Sequence, residues 1–312
     1  MTDSVRLHEL AERWGALWAR CPAVGLFQTF EYCLDAWDLV EEPRGRQLAC
    51  LTGWRGDELV AVWPFVTYRN RLWRHARQLV ASGVELHEML VDESLDRAAW
   101  TAQAWAALTV HSRADVVDVS FFDGSASAPA LRAISARAVE TSTVTSVSVR
   151  LREESDWDEY YNSLSKSFRK DFAKSRRRLE ALGVFEFAVC EAGDERITSL
   201  VDWTLAQKRK WAEHTGKKGE WLYSDHYRAF LVHQLTAPGN GPRNVLMVLT
   251  LNGELLATQI GALSKGKFEA VIAGFNAEYE KFSPGARLNE AMIRWAWEQG
   301  ADCDLGAGSE PY

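Results

Sequence analysis

The pattern that most restricts the fold is a run of strand, strand, strand, helix and strand in the last quarter of the chain. Asn252-Gly253 joins two alternating apolar segments and is the strongest short signal for a β-hairpin. The sequence predicts strands at 244–251, 254–264 and 267–275, a helix at 284–299 and a last strand at 302–305. This order predicts an antiparallel meander whose final strand crosses over through a helix.

The remainder of the chain also mixes helical and strand patterns. Predicted helices cover 4–20, 29–42, 94–112, 128–140, 165–182, 194–214 and 225–235, and predicted strands cover 47–54, 58–68, 115–122, 144–151 and 185–189. The segment 115–122 is expected to be a buried strand. A boundary near residue 152 gives two domains, 1–152 and 153–312, as a chain of 312 residues suggests.

Charge and cysteine content exclude several classes of protein. Lys and Arg number 36 against 43 Asp and Glu, a net charge of −7 that does not favour nucleic acid or anionic membranes as partners. The 5 cysteines are scattered and lack metal-ligand spacing, so we expect reduced thiols and no metal. No apolar run is long enough to span a membrane or to serve as a signal peptide. We therefore expect a cytoplasmic protein.

A short internal similarity links the two halves. The segment from Arg55 to Ala61 reads RGDELVA, and the segment from Asn252 to Ala257 reads NGELLA, each at a predicted hairpin. Either two unrelated hairpins share favoured turn residues, or the chain contains a tandem duplication.

The start of the helix at 284–299 carries the clearest binding signal. Ser283 is a suitable N-cap and Pro284 suits the first helical position. Gly285 and Ala286 have almost no side chain, which leaves the first-turn N–H groups open to an anion, and Arg287 adds positive charge. The alternative is an ordinary capped helix in which Gly285 is a concession to packing.

Several short motifs in this order resemble a known superfamily. They are Gly274-Phe275-Asn276, Ser283-Pro284-Gly285-Ala286-Arg287-Leu288 and Asp304-Leu305-Gly306-Ala307-Gly308, preceded by Phe27-Gln28-Thr29-Phe30-Glu31 and by Ser163 to Arg169. The chain resembles the GNAT acyltransferases, and within them a bacterial branch related to the FemABX proteins, the CelD/BcsL-type acyltransferases. The resemblance implies an α+β or α/β fold of two tandem GNAT-like domains, each a mixed, mostly antiparallel sheet flanked by helices.

The resemblance also implies a cofactor and a place for it. The first domain of this branch is usually degenerate, so acetyl-CoA or another acyl-CoA is expected in the second, with its pyrophosphate at the helix that Ser283 begins. The strand backbone at Ala273, Gly274 and Phe275 is the expected polariser of the thioester. Three departures weaken the match: Phe282 occupies a signature position, Asn276 replaces the usual Asp, and the sequence ends at Tyr312 where the branch continues with Lys.

Acyl transfer to an amine also needs a base and a proton for the departing thiolate. Glu269 is a candidate base, or else an exposed strand carboxylate. Asp304 is a base, an amine-orienting group or a cap for Gly306. Tyr312 is a candidate general acid.

A basic run from Lys166 to Arg178 is predicted to line one helix face. It is either a solvated face or an electropositive wall for a phosphate-bearing acceptor or cofactor. Lys170 represents this wall in our prediction, and Arg209 and Trp211 on a later helix extend it toward a substrate.

Three functions fit these features. The first is an N-acyltransferase that moves an acyl group, with acetyl as the first candidate, from coenzyme A or an acyl carrier protein to an amine of a small molecule, sugar or nucleotide sugar. The second is a FemABX-like transferase that uses aminoacyl-tRNA. The third is a degenerate GNAT pair that serves as a scaffold in a biosynthetic complex.

Overall fold

The computed structural model of the protein describes residues 1–2, 4–22, 24–82, 88–121, 125–135, 138–140, 143, 145–217, 219–237 and 241–307. The chain forms two compact units, Met1–Thr143 and Val144–Tyr312. This division falls before residue 152 because the strand Ser146–Val149 pairs with the last strand of the second sheet. As an assignment of domains, 1–152 and 153–312 stay a prediction.

The first unit contains short helices around a twisted sheet. Its helices are α1 (Ser4–His8), α2 (Ala11–Arg20), α3 (Phe30–Asp35), α4 (Arg97–Ser112) and α5 (Ser127–Ile134), and its strands are β1 (Gln47–Arg55), β2 (Glu58–Asn70), β3 (Trp73–Gln78), β4 (Leu90–Val91) and β5 (Val116–Asp118). A π-helical segment, Ala36–Glu41, continues α3. The strands β1, β2 and β3 form an antiparallel meander, β4 pairs with β2, and β5 lies parallel to β3.

Three elements of the first unit differ from the sequence prediction. The strand predicted at 115–122 is only β5, and Val116 in it is 37% exposed rather than buried. The helix predicted to residue 140 ends at Ile134, and Val139 beyond its end is 80% exposed. The strand β3 was not predicted, because its sequence WRHARQ lacks apolar alternation.

The second unit contains the longer sheet. Its helices are α6 (Trp157–Ser163), α7 (Lys166–Glu180), α8 (Ile197–Thr215), α9 (Asp225–Thr236) and α10 (Pro284–Glu298), and its strands are β6 (Ser146–Val149), β7 (Phe185–Cys190), β8 (Arg243–Leu251), β9 (Glu254–Ser264), β10 (Lys267–Phe275) and β11 (Asp302–Ala307). The strand order is β6-β11-β10-β9-β8-β7, and only the β10–β11 pair is parallel among these described strands. The predicted meander, crossover helix and last strand are confirmed.

Helices cover both faces of the second sheet. On one face, α7 and α10 close a core that includes Leu179, Met292 and Phe268, and the Phe268 ring packs edge-on against Trp295. On the other face, α8 packs close to β9 and β10, where the Thr204 and Thr258 hydroxyls lie 2.7 Å apart. This pairing of two buried hydroxyls joins α8 to β9 at Thr258, the register partner of Gly274 near the end of β10.

The two units repeat one arrangement of elements. Apart from the short β4, which precedes α4 in the first unit, a meander in each unit is followed by a helix and a strand parallel to the third meander strand: β1-β2-β3-α4-β5 and β8-β9-β10-α10-β11. Both hairpins have a two-residue turn, since Arg55 pairs with Glu58 and Leu251 pairs with Glu254. The sheet of each unit is mixed and mostly antiparallel, as predicted.

Candidate functional site

The parallel strands β10 and β11 separate soon after they meet. Their register contains only the pairs Lys267–Asp302, Phe268–Cys303 and Glu269–Asp304. Beyond Glu269, β10 continues to Phe275, and no described strand pairs with its edge on the β11 side. Because a strand edge presents unpaired N–H and C=O groups, this fork offers backbone hydrogen bonds to a ligand.

Two local features open the fork. The β9–β10 register shifts between Ala270 and Ile272, so Val271 is an extra residue that forms a bulge and bends β10. On β11, Gly306 has a φ of +76°, and its N–H donates to Asp304 Oδ1 at 2.9 Å instead of to a strand. The two strands therefore turn apart.

The helix α10, which follows the end of β10 in the chain and packs against β9 and β10, begins with open N–H groups. Ser283 adopts a left-handed conformation, φ 53° and ψ 57°, and its side chain makes no capping hydrogen bond. Its carbonyl accepts from Arg287 N–H at 3.1 Å, and Pro284 has no N–H. In the described part of the chain, the N–H groups of Gly285 and Ala286 have no acceptor. Ser283 is the N-cap residue and Pro284 the first helical residue, as predicted, but the Ser283 side chain does not cap the first-turn N–H groups.

Packing against the described residues does not require Gly285. A Cβ built on Gly285 meets no atom of those residues within 4 Å. The interpretation of Gly285 as a concession to packing is therefore wrong, and the space beside the first turn is available to a ligand.

The helix α4 of the first unit provides an internal comparison. It occupies the same place in the repeat as α10, but its N-cap residue is Asp96. The Asp96 carboxylate accepts from the N–H groups of Ala98 at 2.9 Å and Ala99 at 3.2 Å. The first turn of α4 is thus filled by an anion of the chain itself, whereas that of α10 is not.

Contacts from α7 hold the start of α10 in place. The Ser175 hydroxyl donates to the Phe282 carbonyl at 2.5 Å. The Arg287 guanidinium lies 3.8 Å from the centre of the Phe172 ring, donates to the Phe172 carbonyl at 3.1 Å, and pairs with Glu290 at 2.7 Å. Burial lowers the pKa of Arg287, and Glu290 opposes that shift. Arg287, which we predicted to bind the anion, is only 3% exposed and its charge is already paired, so it acts as a clamp between α7 and α10.

Two candidate catalytic carboxylates lie side by side at the fork. Glu269 and Asp304 are register partners on neighbouring parallel strands, and such strands lie about 4.8 Å apart in the hydrogen-bonding direction. Glu269 is 6% exposed, which contradicts its interpretation as an exposed strand carboxylate, and Lys267 Nζ lies 3.0 Å from its Oε1. Asp304 Oδ1 accepts from Gly306 N–H and, at 3.0 Å, from the Ser146 hydroxyl. Asp304 thus performs the capping role, one of the three left open by the sequence.

The remaining predicted residues are distributed over both faces of the sheet. Lys170 is exposed on α7, while Arg209 and Trp211 belong to α8 on the opposite face. Arg209 Nε donates to the Leu222 carbonyl at 2.7 Å, and Lys208 Nζ lies 3.7 Å from the centre of the Trp211 ring. The structure therefore does not bring Lys170 together with the other two.

Among the predicted thioester-binding residues, Gly274 has a separate reason to be glycine. A Cβ on Gly274 would lie 2.8 Å from the Thr204 carbonyl oxygen, so only glycine lets α8 approach β10 this closely. Ala273 and Phe275 flank it on the unpaired edge of β10. Tyr312 lies outside the described residues.

Sequence reasoning missed the α7 residues Ser175 and Phe172, which position the helix start. Their roles depend on contacts across more than 100 residues of chain, for which a single sequence gives no signal. Among the described residues, no group of His, Cys, Asp and Glu side chains is arranged to hold a metal ion, and no helix is long and apolar enough to cross a membrane.

Comparison with known proteins defines the class to which this geometry belongs. Residues 166–312 match the family described as acetyltransferase (GNAT) domain. Residues 166–312 therefore match a GNAT-type acetyltransferase domain, and the chain has the fold of two GNAT-like units in tandem. No curated protein sequence gives a significant match.

Solved structures show the same fold across nearly the whole chain. FemX is 12% identical with a TM-score of 0.62, and the match covers 96% of this chain and 88% of that one. L-PGS from Bacillus licheniformis is 12% identical with a TM-score of 0.54, covering 98% and 79%. A tandem GNAT protein from the clavulanic acid biosynthesis pathway is 11% identical with a TM-score of 0.52, covering 99% and 88%. These similarities concern the fold and not the substrates.

Proposed function

We propose that the second unit transfers an acyl group, with acetyl as the first candidate, from coenzyme A to an amine of a small-molecule or sugar-type acceptor. We further propose that it belongs to the CelD/BcsL-type branch. The observation that carries the proposal is the pair of open N–H groups at Gly285 and Ala286, beside the unpaired edge of β10. Helix N-termini bind phosphate through such groups and the helix dipole.

The donor fits the fork in two places. The N–H groups of Gly285 and Ala286 bind the pyrophosphate of coenzyme A. The pantetheine arm lies along the β10 edge, where the backbone from Ala273 to Phe275 donates a hydrogen bond to the thioester carbonyl and polarises it. An acyl carrier protein presents the same arm and is the alternative donor.

Two carboxylates are available to take the proton from the amine. The amine nitrogen bonds to the thioester carbon, the carbon–sulfur bond breaks, the amine proton passes to a carboxylate, and the thiolate takes up a proton. We assign the buried Glu269 as the base, acting directly or through water, and Asp304, which accepts from Gly306 and Ser146, as the group that shapes the fork. Tyr312 stays our candidate for the proton donor to the thiolate.

We assign the predicted substrate-binding residues according to the face of the second sheet on which their helices lie. Lys170 shares α7 with the residues that hold the start of α10, so we assign it to a phosphate of the donor or of a nucleotide-sugar acceptor. Arg209 and Trp211 on α8 are assigned to the acceptor on the other face. We place the reaction in the cytoplasm, because all five cysteines are free and buried.

A second candidate function is supported by the surface of α7. Lys166, Lys170, Lys174 and Arg177 are exposed there, and none has a carboxylate within ion-pair distance in the part of the chain that the structure describes. Such a row of cations fits a phosphate backbone, which favours aminoacyl-tRNA as the alternative donor. Affinity for tRNA would fall steeply with added salt, whereas acetyl-CoA binding would change much less.

Calorimetric titration of the full chain with acetyl-CoA tests the proposal. At 100 times the Kd, a bound ligand adds about 2.7 kcal/mol to the free energy of unfolding, which a thermal scan detects. Product formation with a panel of amino sugars then compares Glu269→Gln with Asp304→Asn. We expect Glu269→Gln to lower kcat with little change in acetyl-CoA affinity. Absence of acetyl-CoA binding would refute the proposal and leave a carrier-protein donor, a tRNA donor or a scaffold.

A further inference from the structure

The first unit contains a cleft that the proposed acyl transfer does not use. Its volume is about 770 Å³, which is within the range of small-molecule sites, and all of its lining residues belong to the first unit. The floor is formed by β1 and the end of α4, including Leu48, Leu51 and Leu108. Arg46, Arg74, His111 and Glu42 contribute the charged or titratable side chains.

An unusual cluster of charges lies at one wall of the cleft. Glu41 is completely buried, and three guanidiniums share its carboxylate: Arg77 at 2.9 Å, Arg46 at 3.1 Å and Arg44 at 3.3 Å. One carboxylate neutralises one of these charges. Two positive charges are left in a partly desolvated cluster, which favours the approach of an anion.

Arg46 joins the cluster to the cleft. Its guanidinium lies 4.1 Å from the centre of the Tyr68 ring, and its Nη1 is buried with no hydrogen-bond acceptor among the described residues. An unpaired buried donor costs free energy that an anionic acceptor would recover. Burial lowers the pKa of Arg46, Glu41 opposes that shift, and the neighbouring positive charge of Arg77 adds to it.

Arg74 supplies a second open guanidinium in the lining. Its Nη1 donates to the Ser112 carbonyl at 3.2 Å, and no carboxylate pairs with its guanidinium in the described residues. Among the described residues of the cleft and of the wall behind it, four guanidiniums face two carboxylates, Glu41 and the exposed Glu42. The excess charge is thus concentrated next to an apolar floor.

We propose that this cleft binds a small organic anion, whose phosphate or carboxylate is held by Arg46 and Arg74 and whose apolar body lies on Leu48, Leu51 and Leu108. This site is built from residues of the first unit alone, so it does not depend on the acyl-CoA site proposed at Gly285. In the first unit, Asp96 already caps the first-turn N–H groups of α4. The cleft therefore gives this unit a separate ligand site.

Calorimetric titration of the full chain with octyl phosphate and octanoate tests the proposal, with octanol and inorganic phosphate as the tail-only and head-only controls. We expect one of the two amphiphilic anions to bind at least tenfold more tightly than either control. Their order identifies the head group as phosphate or carboxylate. Equal binding of octanol would overturn the proposal, because the cleft would then recognise only an apolar chain.

Charge variants locate the site. Arg46→Gln and Arg74→Gln should each weaken binding at least tenfold, whereas Arg55→Gln, an exposed arginine at the β1–β2 turn, should change it less than twofold. If Arg46→Gln does not fold, Arg74→Gln decides, since its guanidinium has only a carbonyl partner. Unchanged affinity in Arg74→Gln, or no saturable binding of either anion, would refute the proposal. Gly285→Glu should leave this titration unchanged.

Discussion

Substitution of Gly285 by Glu separates anion binding from the stability of the fold. The substitution places a carboxylate at the second residue of α10, where a Cβ meets no atom within 4 Å. Replacing a helical glycine stabilises a helix by up to about 1 kcal/mol, and an acidic group in the first turn adds about 0.3–1 kcal/mol. The variant should therefore unfold a few degrees above the parent, since about 1 kcal/mol corresponds to roughly 2–4 °C in a domain of this size.

The same carboxylate should greatly weaken binding of acetyl-CoA. Two unit charges about 5 Å apart repel by about 3 kcal/mol at an effective dielectric constant near 20. This corresponds to an increase in Kd of about two orders of magnitude. Gly285→Ala is the matched control, because it also removes the glycine but adds no charge, and it should bind acetyl-CoA within about twofold of the parent.

Calorimetric titration gives the Kd and thermal scans give the midpoint for all three proteins. Equal affinity of Gly285→Glu and Gly285→Ala would refute the argument, since the open N–H groups would then not contact the donor. A lower midpoint for both variants would refute the structural part, because it would mean that Gly285 is needed by the fold.

Three further outcomes are expected. Ser175→Ala removes the hydrogen bond to the Phe282 carbonyl, so it should lower the free energy of unfolding by about 1 kcal/mol and weaken acetyl-CoA binding. Ser167→Ala on the same helix is the control and should change neither quantity. Gly274→Ala forces a Cβ to 2.8 Å from the Thr204 carbonyl oxygen and should lower the free energy of unfolding by about 1–3 kcal/mol in urea titrations; an unchanged midpoint would contradict the close packing of α8. Burial raises the pKa of the Cys190 thiol to about 11, so only about one Cys190 thiol in a thousand is ionised at pH 8. Exchange of this thiol with an aromatic disulfide should therefore be slow until denaturant is added or the pH is raised. Rapid reaction of Cys190 in the folded protein would contradict this raised pKa.

The sequence predicted those parts of the fold whose causes are local. Asn252-Gly253 adopts positive φ at both positions, as the predicted hairpin turn requires, and the strands on each side follow from alternation. The strand β3 was missed because its burial depends on distant partners: the Gln78 side chain accepts from Ser120 N–H at 2.7 Å and donates to the Ser120 carbonyl. The sequence of such a strand does not alternate between apolar and polar residues.

The sequence predicted the open helix start at Gly285 but not the contacts of the side chains around it, and the roles of the candidate site residues stay predictions. The open helix start at Gly285 follows from small residues in sequence, which is a local signal. The direction of the Arg287 side chain does not, since it is set by Phe172 and Glu290 after α7 has packed against α10. The burial of Glu269 likewise depends on neighbouring elements rather than on the alternating pattern of β10.

The structure gives the internal repeat more weight than the short similarity in sequence did. In the first hairpin Gly53 pairs with Ala61 and Trp54 with Leu59, so the residue between Leu59 and Ala61 is extra. In the second, the register shifts at the same distance from the turn, leaving one extra residue before Ala257.

A shared bulge at one position is not required by favoured turn residues, so it argues for a tandem duplication over two unrelated hairpins. The two copies then differ at the helix start that follows each meander. The Asp96 carboxylate accepts from the first turn of α4, whereas the Ser283 side chain makes no capping bond at α10. If the proposed function holds, a change of one capping residue separates a copy whose helix start is closed from a copy whose helix start binds a phosphate.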